Sequence, residues 1–223
     1  FIGRPVSLST CLVLLFVSFI AALPPAAAHA AAPSSDFAGL VDIGAGRKMY
    51  LECRGAGSPT VVLVAGLKAS AEDWSLAGKP AAAVFPEVAK FARVCAYDRP
   101  GTPVGEKPSR SDPVEQPTTA RDAVADLHAL LRAAGEAGPY VLVGHSYGGL
   151  VVRLYASTYP EDVSGLVLVD ALTEGLRDAE TPEQWAIQRK LMEGEIRESL
   201  LLYPALERND PDRSFDQMRA APK

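Results

Sequence analysis

The chain has 223 residues, of which 48% are hydrophobic and 22% charged, and its formal net charge is −5. This size and composition suffice for one domain with a sizeable core and are not typical of a disordered chain. The net charge is mildly negative, and the sequence contains no basic patch of the kind that binds a nucleic-acid backbone. We therefore expect no nucleic-acid partner.

The first thirty residues have the layout of a secretory signal peptide. Arg4 precedes an apolar run over residues 11–23, and the small-x-small site Ala28-His29-Ala30 follows. The run is shorter than the roughly 20 residues that span a bilayer, which favours a signal peptide over a membrane anchor. We therefore expect residues 1–30 to be cleaved on export, residues 31–38 to form a linker, and the mature protein to be secreted or periplasmic with no stable membrane span.

Strands and helices are predicted to alternate between residues 39 and 170. Short extended runs or continuous β-branched, apolar runs predict six strands, near 39–43, 47–53, 60–65, 93–98, 140–143 and 165–169. Helical patterns are predicted from Thr118 or Thr119 to Gly135 and from Tyr147 to Tyr159. This alternation is typical of an α/β fold, with a mostly parallel sheet covered by helices on both faces.

The last fifty residues have a different character. Residues 171–223 are rich in charge and contain helical patches near 182–191 and 195–202, with no strand-like run. We expect a core over residues 39–170, followed by a helical lid or insertion over residues 171–223 that lies across the sheet.

Gly144-His-Ser-Tyr-Gly148 is the motif that carries most of the chemistry. A G-x-S-x-G pattern occurs by chance in about one chain in ten of this length, so alone it is weak. Here, however, a predicted strand precedes it directly and a predicted helix follows, which is the context of a nucleophile elbow. We prefer this interpretation to an ordinary glycine-rich turn, and it makes Ser146 the candidate nucleophile.

A serine nucleophile also requires donors for the oxyanion that develops on its substrate. In an elbow of this type one donor is the amide of the residue after the serine, here Tyr147, and the other comes from the loop after an earlier strand. The strand at 60–65 ends at Gly66, which allows the backbone to turn into the site. Leu67 is therefore the candidate for the second backbone amide.

Four motifs together resemble the α/β-hydrolase fold family, of the esterase and lipase-like branch. They are Val62-Leu-Val-Ala-Gly66, Tyr97-Asp-Arg-Pro-Gly101, Gly144-His-Ser-Tyr-Gly-Gly149 and Gly165-Leu-Val-Leu-Val-Asp170. The resemblance covers roughly residues 40–170 and implies hydrolysis of a small-molecule ester, thioester or amide through an acyl-enzyme, with no cofactor and no metal. This chain has Ala65 where family members often have a histidine, which leaves the backbone donor but removes a side chain.

The resemblance also implies a triad in the order serine, acid, histidine. No histidine follows His145, so we expect the chain to be truncated at its C-terminus, with the catalytic histidine, the usual acid and the last two strands beyond Lys223. Asp170 occupies an alternative acid position used by some members. As written, the fragment is expected to be inactive, and a non-catalytic remnant or binding protein of the same fold is the alternative hypothesis.

Other residues near the motifs are expected to have structural roles. The resemblance implies that Asp98-Arg99 braces loops near the site. A side chain adjacent to the nucleophile points away from it, so we expect His145 to pack beneath the turn, and His128, in the middle of a predicted helix, to have a packing or surface role. The resemblance also makes the strands carrying Cys53 and Cys95 neighbours, so these two cysteines could form a disulfide in an oxidising compartment. The sequence leaves the oligomeric state unknown.

Overall fold

The computed structural model describes residues 36–76 and 82–222, apart from the side chains of residues 192–194. The predicted signal peptide and most of the predicted linker lie outside the described residues. None of the helices within the described ranges is long and apolar enough to cross a lipid bilayer.

Six strands form one mixed sheet. They are β1 (Phe37–Gly44), β2 (Arg47–Arg54), β3 (Val61–Val64), β4 (Val94–Tyr97), β5 (Tyr140–His145) and β6 (Val163–Val169). Their order in the sheet is β1-β2-β4-β3-β5-β6. β2 is antiparallel to both β1 and β4, whereas the pairs β3–β4, β3–β5 and β5–β6 are parallel. The predicted mostly parallel sheet is therefore confirmed.

Helices connect these strands and continue after the last one. They are α1 (Val84–Val88), α2 (Ala120–Ala133), α3 (Tyr147–Thr158), α4 (Gly175–Ala179), α5 (Pro182–Leu202) and α6 (Pro211–Arg219), with 3₁₀ helices at Ala71–Ser75 and Pro160–Asp162. Thr119 caps the start of α2: its hydroxyl accepts a hydrogen bond from the Asp122 amide, while the Asp122 carboxylate accepts one from the Thr119 amide. This reciprocal cap satisfies two amides that the helix itself leaves unpaired.

The sheet is covered on both faces. Side chains of a strand alternate between its two faces, and in β3 Val62 and Val64 pack in the cluster formed with α2 and α3. Leu63, between them, packs in a second cluster with Trp74 and Phe85, which belong to the first 3₁₀ helix and α1. The predicted fold class, an α/β-hydrolase-like sheet with helices on both faces, agrees with this arrangement.

Among the described strands, β6 lies at the edge of the sheet beside β5. Its apolar residues from Leu166 to Val169 are between 41% and 47% exposed. An exposed apolar edge of this kind is a template for pairing with another strand.

The segment after β6 consists of two different parts. α5 is largely exposed, including Ile187 and Leu202. The residues that follow return to the core, where Leu206 and Phe215 are only 3% and 1% exposed and α6 contacts α2 and α3. The segment predicted as a lid thus also contributes buried side chains to the domain.

Cys53 on β2 and Cys95 on β4 face each other directly in the antiparallel ladder. Both are fully buried, and their sulfur atoms form a disulfide, with the Cα atoms 4.1 Å apart. The bond joins two strands that are separated by 42 residues along the chain.

Candidate active site

Ser146 lies in the turn between the end of β5 and the start of α3. Its backbone has φ 50° and ψ −121°, a conformation that non-glycine residues rarely adopt. Such strain persists only where the surrounding structure enforces it, and it occurs preferentially at functional sites. The Ser146 side chain is half-buried, and its hydroxyl makes no hydrogen bond to any described residue.

Close packing of α3 against the sheet enforces this turn. A Cβ atom added at Gly148 would overlap the Val64 carbonyl oxygen and lie 2.7 Å from that of Ala65. A Cβ atom at Gly144 would lie 2.6 Å from the Gly148 carbonyl oxygen. The glycines of the motif are therefore required by backbone contacts, because any larger residue would push the helix away from the strand.

Two backbone hydrogen bonds tie the turn to the end of β6. The Ser146 amide donates to the Val169 carbonyl at 3.2 Å, and the Leu172 amide donates to the Ser146 carbonyl at 2.8 Å. Asp170 lies between these two attachments, with φ 42° and an exposed side chain that accepts no hydrogen bond from the described part of the chain. The structure therefore places the candidate acid next to the elbow, on a strained backbone.

The loop after β3 approaches the elbow from the other side. An ideal Cβ atom at Gly66 would lie 3.3 Å from the Ser146 Cβ. Beyond Gly66, the Lys68 amide donates to the Glu207 carboxylate at 2.7 Å and the Ala69 amide donates to the Gly66 carbonyl at 3.1 Å.

The next amide, that of Ser70, donates to the Asp73 carboxylate at 2.7 Å. Among the four amides from Leu67 to Ser70, only that of Leu67 has no acceptor within residues 36–76 and 82–222. This is the amide predicted as the second oxyanion donor. The first candidate, the Tyr147 amide, is the first of α3, a position where a helix supplies no acceptor of its own.

A buried ion pair supports the loop from beneath. Arg99 and Glu207 are 3% and 2% exposed, and Arg99 Nε donates to Glu207 Oε1 at 2.5 Å. The remaining guanidinium nitrogens donate to the carbonyls of Ala65 at 2.8 Å and Gly66 at 2.5 Å. Desolvation opposes the charged form of Arg99, but the charge and hydrogen bonds of Glu207 outweigh it and raise the pKa of Arg99. The Arg99 guanidinium is therefore charged throughout the ordinary pH range.

Asp98 braces a neighbouring loop. Its fully buried carboxylate accepts a hydrogen bond from the Ala71 amide at 2.8 Å and forms an ion pair with Arg110 at 2.6 Å. The hydrogen bond to Ala71 holds the start of the 3₁₀ helix that follows the Gly66 loop. Asp98 and Arg99 thus act as supports for loops, as the family resemblance implied, and neither side chain reaches solvent.

Neither described histidine has the contacts expected of a base for Ser146. The exposed His145 ring lies edge-on to Trp74, with 6.4 Å between ring centroids, and beside Gly66. His128 lies on α2, where its ring is stacked on Tyr159 at 3.9 Å and its Nδ1 is 3.4 Å from Asp162 Oδ2. Both rings therefore contact groups other than the Ser146 hydroxyl.

One group of side chains in the described ranges has the residue types of a metal site. Ligand atoms of Cys53, Cys95 and Glu136 lie within 4.8 Å of one another. The two sulfurs are bonded to each other, however, and Glu136 forms a buried ion pair with Arg93 at 2.7 Å. The atoms are thus already engaged in covalent and ionic contacts.

The structure brings together most of the residues that the sequence singled out. Ser146, Tyr147 and Asp170 meet at one end of the sheet, and the Leu67 loop lies beside them. Sequence reasoning missed Glu207, which lies in the charge-rich segment after β6. Its sequence neighbourhood contains no motif, and only its 2% exposure in the folded chain distinguishes it from surrounding solvated carboxylates.

Comparison with known proteins is consistent with this architecture. The family model described as the alpha/beta hydrolase fold matches residues 59–199. The uncharacterized protein YqjL of Bacillus subtilis is 32% identical over 117 residues, which cover 52% of this chain and 41% of that protein. Lipase LipV of Mycobacterium tuberculosis is 45% identical over 58 residues, covering 26% of this chain and 22% of that protein.

Solved structures show the same fold. A thermophilic esterase from Thermogutta terrifontis superposes with a TM-score of 0.51 at 25% identity, covering 67% of this chain and 48% of the esterase. The match spans less than half the length of each of these three proteins.

Proposed function

The chain belongs to the α/β-hydrolase fold family, and on this premise we propose that it provides the nucleophile and oxyanion hole of a serine hydrolase. The substrate is a small-molecule ester, thioester or amide. Ser146 Oγ attacks the carbonyl carbon, the bond to the leaving group breaks, and water then hydrolyses the acyl-enzyme. The single observation that carries this proposal is the strained backbone of Ser146 at the junction of β5 and α3.

Stabilisation of the oxyanion is assigned to two backbone amides. Tyr147 begins α3, where the helix dipole and the unpaired amides favour negative charge. Leu67 carries the one amide of its loop that has no acceptor in the described structure. Preorganised donors of this kind act without reorganisation during the reaction, and loss of one costs about 10²–10³ in kcat.

The proposal also requires a general base, because an unassisted serine hydroxyl is a weak nucleophile. Because His128 and His145 contact other groups, we propose that the base is the histidine expected beyond Lys223. We propose Asp170 as the acid that orients this histidine. Its carboxylate is exposed beside the elbow and accepts no hydrogen bond from described residues, which supports this role. The similar proteins from Thermogutta terrifontis, named an esterase, and LipV, named a lipase, support the choice of an ester substrate.

Labelling with a fluorophosphonate tests the nucleophile directly. We expect one adduct on the purified whole protein, with the proposed histidine present, mapped to Ser146 by peptide mass spectrometry and lost in Ser146→Ala. The matched control is Ser157→Ala, since Ser157 is a half-buried serine in the regular part of α3 and should leave labelling unchanged. An adduct that survives Ser146→Ala, or a folded protein that forms none, would contradict the proposal.

We also propose that the protein is exported. The signal-like sequence at residues 1–30 motivates this, and the Cys53–Cys95 disulfide supports it, because such bonds persist in oxidising compartments. Fractionation of cells that express the chain, followed by N-terminal sequencing, should give a secreted or periplasmic form that begins after Ala30. Recovery of only the unprocessed chain in the cytosol would argue against export.

A further inference from the structure

The direction of the Leu67 amide is fixed through its own peptide group. The Gly66 carbonyl and the Leu67 N–H belong to one trans peptide, in which C=O and N–H point in opposite directions. Arg99 Nη2 donates to the Gly66 carbonyl oxygen at 2.5 Å. The Leu67 N–H must therefore point away from the buried guanidinium.

The following residue is held from the same side. Glu207 Oε2 accepts a hydrogen bond from the Lys68 amide at 2.7 Å and another from Arg99 Nη2 at 3.2 Å. Lys68 has φ 63°, a left-handed conformation that costs a non-glycine residue about 1 kcal/mol or more. Glu207 thus stabilises a turn that the local sequence disfavours. It also accepts the hydrogen bond of the Lys68 amide, which would otherwise compete with the Leu67 amide for the oxyanion.

Glu207 reaches this position because its backbone docks on the loop after β4. The Glu207 amide donates to the Gly101 carbonyl at 2.9 Å. A Cβ atom at Gly101, which has φ 84°, would lie 2.6 Å from the Ala205 carbonyl oxygen and 2.7 Å from the Glu207 nitrogen. The segment after α5 is therefore closely fitted to this loop, and it delivers a carboxylate from 139 residues away along the chain to the Lys68 amide.

We propose that Glu207 is a positioning residue of the oxyanion hole: with Arg99 it holds the Gly66–Lys68 turn so that the Leu67 amide faces the carbonyl oxygen of the substrate. This assignment rests on the proposed function, because it gives the turn a role in catalysis. Glu207 itself does not touch the substrate. It acts through the Lys68 amide and through the Arg99 guanidinium.

Glu207→Ala and Glu207→Gln test the assignment, with Glu136→Ala and Glu136→Gln as matched controls. The Glu136–Arg93 pair is as buried as the Glu207–Arg99 pair, with side chains 2% and 3% exposed, but it braces the strand ends near Gly55. Two quantities are measured on each folded variant of the whole protein, with the proposed histidine present: the second-order rate of fluorophosphonate labelling, and the hydrogen exchange rate of the Lys68 amide by NMR.

We expect Glu207→Ala to speed exchange at Lys68 and to slow labelling by at least about tenfold, since a misplacement of about 1 Å can cost 10²-fold in rate. Glu207→Gln, which keeps an oxygen acceptor for the Lys68 amide, should restore part of the labelling rate. The Glu136 variants should change neither quantity, although they lose stability by the same mechanism.

Labelling of Glu207→Ala at the wild-type rate would overturn the assignment, as would an equal loss of labelling in Glu136→Ala. Unchanged exchange at Lys68 in Glu207→Ala would overturn it independently of any catalytic readout. Failure of the wild-type protein to label would instead refute the proposed function, and the exchange rates would still decide whether Glu207 holds the turn.

Discussion

Replacing the nucleophile by two different small residues measures the strain at the elbow. Ser146→Ala and Ser146→Gly both remove the hydroxyl, but only glycine adopts φ 50°, ψ −121° without a steric cost. A non-glycine residue in such a conformation costs about 1–3 kcal/mol. Glycine has a greater entropy in the unfolded chain, which offsets roughly 0.5–1 kcal/mol of that gain. We expect Ser146→Gly to be about 1 kcal/mol more stable than Ser146→Ala.

The sign of this difference is what identifies the strain. At an exposed site in the middle of a helix, glycine is about 1 kcal/mol less stable than alanine. Ala125→Gly, at an exposed position of α2, therefore serves as the matched control with the opposite expected sign.

Urea unfolding followed by circular dichroism gives the free energies, and both Ser146 variants should fail to react with a fluorophosphonate. A Ser146→Gly protein that is less stable than Ser146→Ala would refute the strained elbow.

Two further changes test the packing around the site. Gly148→Ala should lower the free energy of unfolding by about 1–3 kcal/mol, the usual cost of overpacking, because the new methyl group would overlap the Val64 carbonyl oxygen. Unchanged stability in urea would show that α3 does not approach β3 this closely. The double change Cys53→Ala with Cys95→Ala should lower the free energy of unfolding by about 4 kcal/mol, as expected from loop entropy for a separation of 42 residues. The control is reduced wild-type protein, which should lose the same stability in urea unfolding. Equal stability of the oxidised and reduced forms would contradict this prediction.

The sheet could be predicted from the sequence because its signals are local. Buried parallel strands are continuous runs of β-branched and apolar residues, as in Val61–Val64 and Val94–Tyr97. The short helical segments between β3 and β4 were not predicted. α1 has only 5 residues and no side-chain cap, so periodicity has no length over which to appear. The 3₁₀ helix at Ala71–Ser75 has a capping box formed by Ser70 and Asp73, which is a signal the sequence does contain.

In the site, too, the residues that could be predicted are those with a local sequence signal. The G-x-S-x-G motif identifies Ser146 because the elbow is a local turn whose glycines are required by nearby backbone. The choice of Leu67 depended on the position of Gly66 after a strand, which is also a local feature. Glu207 could not be found in this way, because its role arises from contacts with Arg99 and Lys68 that are 108 and 139 residues distant in sequence. Carboxylates in a charge-rich segment are ordinarily solvated, and no residue pattern marks the one that becomes buried.

The position of β6 connects the edge of the sheet to the chemistry of the elbow. Val169 and Leu172, at the end of β6 and just beyond it, make the two backbone hydrogen bonds that tie Ser146 to the edge strand. Among the described strands, β6 lies at the edge of the sheet, and its apolar residues from Leu166 to Val169 are exposed. Opening of β6 would release both hydrogen bonds at once and relax the strained turn. Any partner strand that pairs with β6 would therefore stabilise the elbow as well as cover the apolar edge.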